Sequence, residues 1–132
     1  MSPSAKPAAK PRLRWNWDFG PLLRDIDTSR LLQLLSALGV GGALGAAAKE
    51  AGMSYRSAWG LLRDCEQALG ASLVTMERGR GTSLTDFGAA LVKLDGEARK
   101  ALDEVHAPWQ RQLEALLAPV VRAAPERLRL AA

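Results

Sequence analysis

Between Leu44 and Gly70 the chain uses one kind of punctuation twice, and little else in it narrows the fold so far. A short run from about Leu44 to Ala51 places Leu44, Ala47, Ala48 and Ala51 on one helical face and stops at Gly52, where a helix C′ residue is best served by glycine. Met53 bridges to Ser54, a strong N-cap, and a second helix follows to about Leu69 before Gly70 closes it. Two helices joined by a turn of about three residues around a glycine form a helix-turn-helix, and alanines on the first let the pair cross closely.

The flanking segments extend this pair on both sides. Upstream, Asp27, Thr28 and Ser29 offer N-caps to a helix with Leu31, Leu34, Leu35 and Leu38 on its apolar face, ending at Gly39, Gly41 and Gly42. Downstream, Leu73 to Glu77 reads as a strand, Arg78-Gly79-Arg80-Gly81 as a turn and Thr82 to Leu84 as the returning strand. Thr85 then caps a long helix with apolar positions at Phe87, Leu91, Leu94, Ala98, Ala101 or Leu102, Val105, Trp109, Leu113 and Leu116. Spacings alternating near three and four over about four heptads suit a coiled-coil-like seam, which Pro108 is expected to kink or interrupt. The predicted fold is mainly α: a winged helix-turn-helix of three helices and a two-stranded wing, then a long linker and dimerisation helix.

Both termini read differently. Ser2 to Pro11, rich in Pro, Ala and Lys, predicts a flexible tail. Arg12 to Phe19, with Trp15, Trp17 and Phe19 alternating, predicts a short strand with one aromatic face, and Gly20-Pro21 a turn. At the other end, Arg127 to Leu130 alternates like a first strand. The expected organisation is therefore a basic tail over 1–20, a winged domain over 21–85, a linker helix over 86–118, and over 119–132 a connection to a further strand.

Composition removes several classes of function. With 48% apolar and 24% charged residues in 132, the chain reads as an ordinary globular protein. It has no apolar run long enough for a membrane span, and no apolar segment follows the basic N-terminus to make a secretion signal. The single cysteine, Cys65, allows neither an internal disulfide nor a thiolate metal site, so a cytoplasmic location is expected. Cys65 also falls on a core stripe and reads as a small hydrophobe. His106, the only histidine, lacks the partners a metal site or a general base requires. Gly39-x-Gly41-x-x-Leu44 misses the last glycine of a dinucleotide loop and follows a helix instead of a strand. No catalytic constellation emerges, no cofactor is implied, and an enzyme is not expected.

Charge placement points instead to a polyanion. The net charge is +4, distributed as +3 over residues 1–30, +1 over 31–85, −2 over 86–118 and +2 over 119–132. At 100° per residue, the helix after Ser54 sets Ala58, Leu61, Leu62, Cys65 and Leu69 on one side and Arg56, Gly60, Arg63 and Gln67 on the other. An arginine fork matches guanine O6 and N7, a glutamine amide matches adenine, and a bare glycine lets the helix settle into a major groove. Ser54, Tyr55 and Ser57 at the helix start face phosphates or base edges. Trp59, at the border of the two faces, is expected to pack against a neighbouring element. A polar helix face by itself ordinarily means solvation. Here the helix pair before it and the basic hairpin after it, with Arg78 and Arg80 at the tip, favour double-stranded DNA. The competing reading is a winged helix kept for dimerisation, its groove face unused.

Ser54-Tyr55-Arg56-Ser57-Ala58-Trp59 resembles the start of the recognition helix in ModE-type molybdate-responsive repressors, which carry a very similar Ser-Tyr-Lys-Ser-Ala-Trp. The wider pattern resembles LysR-type regulators. Ala46-Ala47-Ala48 stands in the alanine-rich helix, Glu66-Gln67-Ala68-Leu69-Gly70 resembles their Leu-Glu-x-x-Leu-Gly with Cys65 for leucine, and Leu84-Thr85-Asp86-Phe87-Gly88 resembles their Leu-Thr-x-x-Gly. The resemblance spans roughly residues 27–118. It implies a bacterial, sequence-specific transcription regulator that binds DNA as a homodimer paired through the long helix from Asp86, at Phe87, Leu91, Leu94, Ala98, Leu102, Val105, Trp109 and Leu113, and through the first helix. It further implies an effector, an oxyanion such as molybdate, sensed by a separate domain. No ModE-type molybdate-binding domain follows, so the expected chain is a fragment without its sensor.

Overall fold

The computed structural model describes residues 11–79 and 81–131, with side chains through Val120 and at Arg122. All but Pro11 of the flexible tail expected from Ser2 to Pro11, the wing residue Arg80 and the terminal Ala132 lie outside the described residues. A 3-10 turn, Gly20–Leu23, precedes α1 (Thr28–Gly41), α2 (Leu44–Glu50), α3 (Tyr55–Leu69), β1 (Val74–Glu77), β2 (Gly81–Leu84) and α4 (Asp86–Ala131). This is a winged helix-turn-helix followed by a long helix. The chain divides into two compact units, one spanning Asn16–Ala98 and one joining the segment through Trp15 to the chain from Arg99 onward.

Local chemistry accounts for most of the boundaries. The Asp27 carboxylate accepts from the Arg30 N–H at the start of α1, and Gly42 closes that helix at φ +77°. The Ser54 hydroxyl accepts from the Ser57 N–H, and Gly70 ends α3 at φ +68°. Each cap satisfies backbone groups that a helix end leaves orphaned. At the start of α4 the Thr85 hydroxyl accepts from the Gly88 N–H at 3.0 Å.

The core of the first unit is built from one stripe of each helix. Leu31, Leu34, Leu35 and Leu38 of α1 meet Leu44, Ala47 and Ala48 of α2, Ala58, Leu62 and Cys65 of α3, and Leu73 and Val74 at the start of the wing. Ala47, Ala48 and Ala58 are at most 3% exposed. A larger side chain at any of them would push helices apart, so the tightness of the α2–α3 corner follows from the alanines.

The wing is tied to the helices at its base. Its strands pair antiparallel in the register Val74↔Leu84, Thr75↔Ser83, Met76↔Thr82 and Glu77↔Gly81. The Thr82 N–H donates to the Gly42 carbonyl at 3.2 Å, joining β2 to the end of α1. The Thr85 N–H donates to the Leu73 carbonyl at 3.0 Å, and the Thr85 hydroxyl donates to the Ser72 carbonyl at 2.7 Å. Gly88 packs so closely on the Leu73 carbonyl that a Cβ there would collide with it. The glycine of the Leu-Thr-x-x-Gly pattern therefore sets how closely α4 leaves the wing.

Three expectations are corrected. The aromatic stretch Arg12–Phe19 is not a strand, because it has no ladder to join and its side chains are used on helices. In the Asn16–Ala98 unit the Trp17 indole N–H donates to Asp95 at 2.9 Å and the Trp17 carbonyl accepts from Thr28. In the other unit the Arg99 guanidinium stacks 5.1 Å from the Trp15 ring centroid, and Gln110 bonds the Leu13 and Pro11 backbone. Gly20-Pro21 opens the 3-10 turn, where the proline ring suits the first positions. Helix α4 runs through Pro108 without interruption and on to Ala131, so Arg127 to Leu130 is helical and not the predicted strand. Four alternating residues carry too little period to outweigh the helix propensity of Leu, Arg and Ala, and a strand needs a partner ladder.

Candidate nucleic-acid interface

Helix α3 separates its two chemistries cleanly. Ala58, Leu62 and Cys65 are buried, and Leu61 and Leu69 pack half-buried against the same core. Trp59 joins them at the border and meets Tyr55 edge-on, with ring centroids 6.3 Å apart and planes at 80°. Burial pushes the Cys65 thiol up to about 11, with Asp64 and Glu66 adding to the effect. A buried thiol held in its neutral form is a packing residue, as its place on the stripe implies.

On the outer side Ser54, Tyr55, Arg56, Ser57, Arg63 and Gln67 are all exposed. Gly60 lies among them, and a Cβ added there would meet nothing within 4 Å. Nothing in the fold itself requires glycine at this position, although glycine in a helix interior costs about 1 kcal/mol relative to alanine. Ser54 is partly committed: its oxygen caps α3, and its proton goes to the Ser57 hydroxyl at 2.9 Å. The first turn of α3 holds no acidic residue, so the positive end of the helix dipole is not offset there.

The wing tip presents Arg78 exposed beside Gly79, which turns at φ +78°. On the outer strand face Thr75 and Ser83 hydroxyls pair at 3.1 Å.

One feature of the site was not anticipated from sequence: the carboxylate of Glu66, on α3, reaches the start of the wing. It accepts from the Leu73 N–H at 2.7 Å, the Val74 N–H at 3.2 Å and the Ser72 hydroxyl at 3.3 Å. An acidic residue beside a polar helix face looks like part of that face until the turn after Gly70 is traced in space.

The apolar positions of α4 divide. Leu91 packs against the core, and Ala98 and Leu102 are half-buried. Phe87, Leu94, Val105, Trp109 and Leu113 are exposed, Trp109 at 61%, and Leu116 and Val120 continue the series. Among the described residues no group of three metal-ligating side chains occurs, and no helix is long and apolar enough to cross a membrane.

Comparison with known proteins agrees with this geometry. Residues 29–89, from α1 through the wing to the start of α4, match the bacterial regulatory helix-turn-helix proteins of the lysR family. The chain is also 31% identical over 93 residues to the molybdenum-pterin-binding protein MopB of Rhodobacter capsulatus, an alignment covering 67% of this chain and 34% of that protein. It spans about a third of the length of this relative.

Proposed function

With residues 29–89 forming a bacterial regulatory helix-turn-helix domain of the lysR type, we propose that the chain is the DNA-reading and dimer-forming part of a transcription regulator. Residues 21–85 carry the DNA-binding domain and residues 86–118 the linker helix. Helix α3 enters the major groove, where Arg56 and Arg63 each grip a guanine edge, Gln67 pairs with adenine, and Tyr55 reaches a base edge. Gly60 brings the helix backbone against the groove floor. Ser54, Ser57, Arg78 and Arg80 hold phosphates, the two arginines from the wing along the backbone or in the minor groove.

The observation that carries this proposal is the outer face of α3, with its exposed Arg56, Arg63 and Gln67 around a glycine that the fold does not need. A solvated face would be better served by alanine at that position.

The exposed stripe from Phe87 to Leu113 pairs with its copy in a symmetric homodimer, joined by Leu91, Ala98 and Leu102 at its edges. Two α3 helices then address half-sites of a pseudo-palindrome about one turn of DNA apart, roughly 34–36 Å, or a multiple of that. The likeness to a molybdenum-pterin-binding protein supports an oxyanion effector such as molybdate, sensed outside the segment described.

Selection of bound sequences from a random duplex pool tests the proposal. Enrichment of a two-fold symmetric site with that spacing is expected. A pool that stays random after repeated rounds would overturn it and favour a winged helix used only for protein contacts.

A further inference from the structure

We infer that Glu66 is the positioning residue that sets the wing against the reading helix. It lies on α3 next to Gln67 and one turn beyond Arg63, yet its carboxylate is spent on the backbone of the wing's first residues. Leu73 is fully buried, so water does not reach its N–H, and a buried amide left unpaired is costly. The Glu66 oxygen supplies the partner for it and for Val74.

The connection from α3 to β1 is short, Gly70 to Leu73, with the glycine at φ +68°. A four-residue joint that begins at a glycine leaves the strand's direction open. One charged group accepting from two successive amides closes it, and charge-assisted hydrogen bonds are the strong kind. Thr82 on Gly42 and Thr85 on Leu73 hold the base of the wing from other sides. Glu66 alone among these ties it to the helix that carries Arg56, Arg63 and Gln67. Its side-chain length thereby decides whether Arg78 stands over the phosphates flanking the groove that α3 occupies. That DNA consequence rests on the function proposed above; the geometry of the wing does not.

The two are separated by measuring the full chain with and without DNA. Glu66→Asp keeps the charge but withdraws the carboxylate by one methylene, while Glu66→Gln keeps the length and an acceptor oxygen. Without DNA, amide hydrogen exchange and residual dipolar couplings report on Leu73, Val74 and the β1–β2 pair relative to α3. In Glu66→Asp, exchange at Leu73 and Val74 is expected to quicken about tenfold or more, with the strand couplings reoriented while those within α3 are kept. Glu66→Gln is expected to keep the native orientation. With a selected duplex, Glu66→Asp should lower the salt slope of binding by about 1, the share of one lost phosphate contact. It should also lose the advantage of a long duplex over one trimmed to the base pairs beneath α3.

Unchanged couplings and exchange in Glu66→Asp would overturn the inference, and reoriented couplings with an unchanged salt slope on DNA that the native chain binds would overturn its consequence for DNA. If the native chain binds no duplex, the proposed function fails, and the DNA-free couplings still decide the role of Glu66.

Discussion

Helices α3 and α4 are both amphipathic, but α3 buries its apolar stripe whereas α4 from Val105 onward leaves its own exposed. On α3 the apolar stripe is inside, with Leu62 and Cys65 fully buried, and the outer face is polar and cationic. On α4 the apolar residues Val105, Trp109 and Leu116 are more than half exposed. A buried stripe is explained by the fold that covers it. An exposed one several turns long asks for a cover, and on a heptad-like spacing the natural cover is a second copy of the same helix. The polar face of α3 asks for a hydrogen-bonding, negatively charged partner. The difference teaches that exposure, not amphipathicity, tells the reader which face of a helix is for use outside the chain.

The contrast is broken most severely by placing charge on the α4 stripe. If α4 pairs as proposed, Trp109→Asp combined with Val105→Asp should convert the proposed dimer to monomer in sedimentation at tens of micromolar, since buried aromatic anchors commonly carry about 2–4 kcal/mol each. An unchanged sedimentation coefficient would remove the seam from α4. Substitutions on the outer face of α3 should be smaller and should spare the fold. Arg56→Ala or Arg63→Ala is expected to weaken a selected site by about 1–3 kcal/mol and relax preference at one base position, as titration against the site and its single-base variants would reveal.

Gly60→Ala should divide stability from binding. Thermal unfolding should shift upward by about 1 kcal/mol of added stability, because nothing crowds the new methyl, while affinity for the selected duplex falls. Gains in both would mean that no groove floor approaches Gly60. The smallest effect is expected at the wing: Arg78→Ala should weaken selected and random DNA alike and reduce the salt slope by about 1.

Much of the winged helix-turn-helix was legible because its determinants are local. Asp27, Ser54 and Thr85 act as caps within three residues of themselves, and Gly42 and Gly70 end helices by their own backbone conformations. The 3.6-residue period on α3 sorted inner from outer residues correctly, Trp59 at the border included. Where the reading of the residues failed, the competing determinant was distant or weak. Trp17 is held by Asp95, 78 positions away, and no alternation of aromatics within the arm reveals that partner. Pro108 removes one donor from a helix otherwise long enough to continue without it.

Sequence by itself thus determined the helix pair, the wing and the composition of both candidate faces, since periodicity, caps and glycines act over a few residues. Tertiary structure alone decided that Leu91 of the seam belongs to the core, that Gly88 must be bare to pass Leu73, and that Glu66 turns from the polar face to hold the wing. Those outcomes depend on which backbone atoms meet across the fold, and a one-dimensional pattern does not encode that meeting in any window short enough to read.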